Sequence, residues 1–195
     1  MLKRLFSFLA VLAFVLSLPI LSQAQESHPK VLIKTSKGDI VVELFPDKAP
    51  LTVRNFLSYV DEKFYDGTVF HRVIKGFMIQ AGGLSPDLEE KPTKPFIRNE
   101  ATNGLSNKRG TIAMGRMSEI HTISSHFYIN HVDNPRLDHR DKTPEGYGYP
   151  VFGKVIKGMD VIDAIANVKT MTKEGMMDVP RETITILSIR QVEND

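Results

Sequence analysis

The chain has 195 residues, enough to bury a sizeable core in one domain and too few for two ordinary ones. It contains no cysteine, which excludes disulfide staples, thiol redox chemistry and a lipid-anchored cysteine. The 25 Lys plus Arg exceed the 23 Asp plus Glu by two, and Lys3 and Arg4 carry that excess, so the remainder is formally neutral and lacks the basic field that attracts nucleic acid or an anionic membrane.

Residues 1 to 24 join that basic start to an apolar run from Leu5, then Pro19 and small residues ending at Ser22 and Ala24. This is the three-part layout of a secretory signal peptide. An uncleaved membrane anchor fits less well, because the run is short and contains Ser7, Ser17 and Pro19. Residues 25 to 30 read as a polar lead-in, and 31 to 195 as the folded domain.

VLIKT (31 to 35) and GDIVVELF (38 to 45) predict two β-branched strands joined by a turn at Ser36 to Asp39. In PLTVRNFLSYVDE, Val53, Phe56, Leu57 and Val60 recur at helical spacing behind Pro50, which predicts one amphipathic helix. Strand signals return in TVFHRVI and FMIQAG. Leu84 to Asn99, with three prolines, reads as a loop. RGTIAMGR and SSHFYINHV are further strands, Asn134 to Pro150 a second loop, and VFGKVI a strand. GMDVIDAIANV predicts a second helix through Val161, Ile162, Ile165 and Val168, and TITILSIRQV a last alternating strand. Many strands with two helices predict a mainly β fold closed into one antiparallel barrel, since closure removes exposed edges.

The stretch FHRVIKGFMIQAGG (70 to 83) carries polar residues that a core strand does not need. Strand alternation places Phe70, Arg72 and Ile74 on one face, and Met78 with Gln80 on one face of the next strand. An arginine among apolar neighbours must keep its charge hydrated or paired, which implies a groove with an apolar floor and a fixed cation. His71 reads as a satisfied structural histidine. His121, His126 and His131, five residues apart, do not align for a metal, Ser125 lacks the setting of a hydrolase nucleophile, and Glu89, Glu90 and Lys91 read as a solvated loop.

FHRVIKGFMIQAGG resembles the signature of the cyclophilin peptidyl-prolyl isomerases, and the likeness continues through RGTIAMGR, SSHFYIN, RLDH and VFGKVIKGMDV over residues 30 to 192. The resemblance implies an eight-stranded closed antiparallel barrel capped by two helices, with an open groove for Xaa-Pro segments. It implies Arg72 as the catalytic arginine, Gln80 holding that arginine and the substrate backbone, and Phe77, Met78, Tyr128 and Leu137 as the proline pocket. Gly115 and Arg116 match the segment whose main chain pairs with the residue before proline. His126 and Tyr149 also fall on groove positions, where glutamine and histidine are common, and Arg136 replaces a rim aromatic, which counts against cyclosporin binding. No metal or other cofactor is implied.

These readings lead to a monomeric isomerase that acts on Xaa-Pro bonds of exported proteins in the periplasm, or alternatively in the medium, without stable membrane association once the signal is removed. The competing class is a holdase that grips proline segments without turnover. It needs the pocket but not the fixed cation.

Overall fold

A computed structural model describes residues 28–192; the expected export signal and most of the polar lead-in lie outside the described residues. β1 (Lys30–Thr35) and β2 (Gly38–Leu44) form the expected hairpin, in register from Lys30 opposite Glu43 to Thr35 opposite Gly38. Thr35 holds the turn: its Oγ1 donates to the Gly38 carbonyl at 2.7 Å and accepts from the Lys37 amide at 3.0 Å. Val31, Ile33, Ile40, Val42 and Leu44 are fully buried, the inward half of a period-two alternation.

The helix α1 (Pro50–Asp61) begins at the expected proline and buries Val53, Phe56 and Val60, with Leu57 half-buried against the same core. No neighbouring side chain caps it. Glu100 does so from a distant loop, its carboxylate accepting from the amides of Leu51 (3.2 Å) and Thr52 (2.8 Å) and from the Thr52 hydroxyl (2.8 Å). A carboxylate there satisfies amides that a helix leaves unpaired and complements the positive end of its dipole.

Beyond α1 come β3 (Arg72–Ile74), β4 (Met78–Ala81), β5 (Thr111–Met114), β6 (Phe127–Asn130), β7 (Val151–Lys157), α2 (Met159–Ala166), β8 (Thr170–Lys173), β9 (Met176–Pro180) and β10 (Ile186–Val192). Eight strands make one antiparallel sheet in the order β10-β1-β2-β7-β5-β6-β4-β3. The sheet curls around a core centred on Phe56, whose ring centroid lies 5.4 Å from Tyr65, 5.6 Å from Phe127 and 5.2 Å from Phe152. α1 contacts β10, and α2 contacts β2, β3 and β4.

The architecture is therefore mainly β with two helices, a curled eight-strand half-barrel. β3 and β10, the two ends of the order, form no ladder with each other. The segments leading into them meet instead: the Phe70 amide donates to the Ile184 carbonyl at 2.9 Å, the Ile186 amide donates to the Thr68 carbonyl at 2.8 Å, and Val69 bridges Thr185. That turn of the chain shortens the expected TVFHRVI strand to Arg72–Ile74 and sends Phe70 into the core, off the face that Arg72 occupies. A second, unexpected sheet is the β8–β9 hairpin, which packs beside β3.

Because Phe56 is fully buried and touched by three aromatic rings, Phe56→Ala is expected to lower the unfolding free energy by about 3 to 5 kcal/mol. Urea denaturation of parent and variant measures this; a loss under about 1 kcal/mol contradicts the central placement of that ring.

Candidate active site

β3 and β4 pair Arg72 with Gln80, Val73 with Ile79 and Ile74 with Met78. Val73 and Ile79 enter the main core, whereas Met78 joins a second apolar cluster with Ala113, Tyr128 and Val151 on the outer face, flanked by Ile74, Phe77, Leu137 and Tyr149. Gly82 follows at once with φ +109, and a Cβ on it would lie 2.5 Å from the Ser125 carbonyl oxygen. Only glycine fits so close to the chain entering β6, which explains the first glycine of the AGG triplet.

The outer cluster floors a hollow of about 240 Å³ walled by Arg72, Gln80, Gly115 and Arg116 over Phe77, Met78, Tyr128, Leu137 and Tyr149. Pockets for drug-sized ligands run from roughly 300 to 1,000 Å³; this one suits a single small ring. Gln80, Gly115 and Arg116 also line an adjoining hollow that continues past Thr122 and Ser124 to His126 and Glu90. Every residue expected at the site thus lies along one groove.

The floor is fixed from below. The Tyr128 hydroxyl donates to Asn107 Oδ1 at 2.7 Å, and the Asn107 amide and Nδ2 donate to Asp138 Oδ1 at 2.7 and 2.9 Å. Burial pushes the Tyr128 phenol well above the ordinary tyrosine value, so the hydroxyl stays a neutral donor. Leu137 sits on a 3₁₀ turn, Pro135–Leu137, and its carbonyl accepts from the Tyr149 amide at 3.0 Å.

Two arginines flank the hollow, and they differ. Arg116 is committed: Nε donates to the Gly148 carbonyl at 3.2 Å, Nη1 to the carbonyls of Met117 (3.0 Å) and Ser118 (3.1 Å), and Nη2 to that of Pro144. Its guanidinium carbon lies 4.9 Å from the centre of the Tyr149 ring. The Arg72 side chain donates no hydrogen bond among the described residues; its ionic contact is Asp178, with Nε 3.7 Å from Oδ2. Gln80 stands directly across the ladder from Arg72, yet among the described residues no hydrogen bond joins their side chains. Arg72 is thus the cation available to a ligand, and Arg116 a strut.

Several sequence expectations change at the rim. His71 is buried, and its Nδ1 makes no well-formed hydrogen bond among the described residues; its ring meets His126 edge-on, with centroids 5.3 Å apart. Glu90 lies 3.4 Å from His126 Nε2, and Lys91 donates to the Phe64 carbonyl and sits 4.6 Å over its ring. Glu89 and Glu90 stay exposed, as a solvated loop does, but Glu90 reaches the groove beside His126, because Leu84 bridges Glu90 and the Lys91 amide donates to the Gly83 carbonyl at 2.8 Å. Glu90, Thr122 and Ser124 were missed as groove residues, and Asp178 as a partner of Arg72: each comes from a loop or hairpin whose position depends on long-range pairing. His121 and His131 are occupied apart from His126, accepting at Nδ1 from the Asn99 and Gly76 amides.

A curled antiparallel sheet with a small apolar hollow, and at its edge a cation that makes no side-chain hydrogen bond among the described residues, defines a protein with an open groove suited to a small apolar ring. Residues 30–191 match the cyclophilin type peptidyl-prolyl cis-trans isomerase/CLD family. Peptidyl-prolyl cis-trans isomerase B of Escherichia coli (strain K12) is 50% identical over 159 residues, 82% of this chain and 97% of that one. Peptidyl-prolyl cis-trans isomerase A of Dickeya dadantii (strain 3937) is 46% identical over 187 residues, 95% and 97% of the two chains. A crystal structure of a Cryptosporidium parvum cyclophilin type peptidyl-prolyl cis-trans isomerase superposes with a TM-score of 0.74 at 27% identity, covering 86% of this chain and 99% of that one. A second, in the presence of the dipeptide Ala-Pro, gives 0.72 at 28% identity, covering 85% and 99%. The chain belongs to the cyclophilin family, and its activity is peptidyl-prolyl cis-trans isomerisation.

Burial pushes the His71 imidazole down to about 4, with repulsion from His126 in the same direction, and burial also lowers His126. A depressed histidine binds its proton later in the folded than in the unfolded chain, so stability is full above about 6.5 and is lost as pH falls toward 4. His71 alone accounts for about 3 kcal/mol across that window. Denaturation from pH 7 to 4 is expected to show this loss in the parent and to lack most of it in His71→Leu; matching slopes contradict the assignment.

Proposed function

We propose that this isomerase accelerates rotation about Xaa-Pro bonds in proteins folding outside the cytoplasm, with Arg72 as its catalytic cation. The observation that carries the reading is the contrast between the two groove arginines: Arg116 is held by four backbone carbonyls, and the Arg72 guanidinium, lining the apolar hollow, makes no hydrogen bond among the described residues.

An amide resists rotation by about 18 to 20 kcal/mol because nitrogen shares its lone pair with the carbonyl. Twisting the bond ends that sharing and turns the prolyl nitrogen into a hydrogen-bond acceptor. Phe77, Met78, Tyr128 and Leu137 receive the ring, the Gly115–Arg116 main chain holds the residue before proline, and Gln80 orients the substrate backbone. The Arg72 guanidinium then donates to a nitrogen that accepts only in the twisted state, which is the differential binding catalysis requires. No bond is made or broken, and a thousandfold acceleration needs only about 4 kcal/mol of selective stabilisation.

The first 24 residues support the setting. Those residues have the composition of an export signal, and the periplasm is the compartment proposed.

On an Ala-Pro peptide, followed by NMR exchange or coupled proteolysis, Arg72→Ala is expected to lower kcat/KM by at least about tenfold while peptide binding persists. An unchanged rate removes Arg72 from the mechanism. Residues 1–24 fused to a reporter active only outside the cytoplasm are expected to yield active reporter; inactive reporter retained inside the cell overturns the export reading.

A further inference from the structure

In the β8–β9 hairpin, Met171 pairs with Val179 and Lys173 with Met176. Between those pairs β9 has two residues, Met177 and Asp178, where β8 has only Thr172, so β9 is bulged. Asp178 takes the left-handed conformation with φ +63, unfavourable for most side chains and tolerated best by Asn and Asp. Bulges re-aim side chains and recur beside active sites. Here the bulge leaves Met177 70% exposed and brings the Asp178 carboxylate to 3.7 Å from Arg72 Nε.

Arg72 needs such a partner. It projects from β3, the last strand of the sheet, its side chain is 43% exposed, and Gln80 opposite makes no hydrogen bond to it among the described residues. A long side chain in that position samples many rotamers, and each one that leaves the hollow is unproductive. Besides β4, the strand β9 lies alongside β3, and Asp178 is the β9 residue that reaches the guanidinium.

We infer that Asp178 is a positioning residue for the isomerase: it engages the Nε edge of the Arg72 guanidinium and leaves the Nη nitrogens directed at the prolyl nitrogen. This rests on Arg72 being the catalytic cation. An exposed ion pair contributes little to folding, so its loss falls on turnover and not on stability. Asp178→Gly preserves the left-handed backbone and removes the carboxylate. Asp178→Asn preserves backbone preference and shape and removes only the charge.

The test measures kcat and KM separately on an Ala-Pro peptide, with thermal unfolding alongside, for Asp178→Gly and Asp178→Asn, each in the parent and in the Arg72→Ala background. Both variants are expected to lower kcat by about three- to tenfold with KM within about twofold and unfolding temperature maintained. Neither is expected to cause further loss when Arg72 is absent. Unchanged or raised kcat in Asp178→Gly, parent-like kcat in Asp178→Asn, or the same fold-loss with and without Arg72 overturns the positioning role. Failure of Arg72→Ala to slow turnover brings down the catalytic reading as well; normal loss in Arg72→Ala beside a fully active Asp178→Gly removes the positioning role alone.

Discussion

In β3 and β4 each successive side chain must leave by the opposite face of the sheet, and the two strands have only three and four residues. A slip of one position would send Arg72 and Gln80 into the core and expose Val73 and Ile79. Burial of those two apolar side chains therefore fixes where the cation stands. The register is further locked by Gly82, whose missing Cβ allows the chain to pass tightly against the Ser125 carbonyl. Stability on one face of the ladder and chemistry on the other are one constraint.

The groove divides labour between like charges. Arg116 satisfies carbonyls from the 117–118, 144 and 148 stretches and packs on Tyr149, so its guanidinium organises the wall as a multidentate donor. Arg72 retains its donors, close to apolar surface that excludes water and strengthens whatever hydrogen bond a ligand offers. A substrate thus meets one rigid wall and one responsive charge, a sensible division where the reacting bond must rotate while its flanks are held.

Much of this was legible in the residues, for identifiable reasons. Amphipathic periodicity located α1 and α2, and alternation located β1, β2 and β10, because both periods are imposed by burial. Arg72 and Gln80 stood out because a polar side chain inside an apolar strand has to be explained. The missed parts are non-local. The β8–β9 hairpin has Met, Lys and Thr in place of an alternating apolar pattern, so its strands are set by docking beside β3. Glu90 and Asp178 are single carboxylates whose meaning comes only from the partners that folding supplies, and the shortened β3 follows from a backbone contact between 68–70 and 184–186 that no local pattern encodes.

Glu100 gives the long segment after β4 a job beyond connection. Its carboxylate holds the first turn of α1, while Asn99, one residue earlier, donates through Nδ2 to the Gly148 carbonyl at 3.0 Å, the same oxygen that Arg116 Nε reaches. The helix entrance and the wall of the groove consequently share an anchorage across adjacent residues. Lengthening or trimming the chain between Leu84 and Asn99 is mechanically safe only when this anchorage keeps its place; a displacement there loosens the lid of the core and the binding wall together.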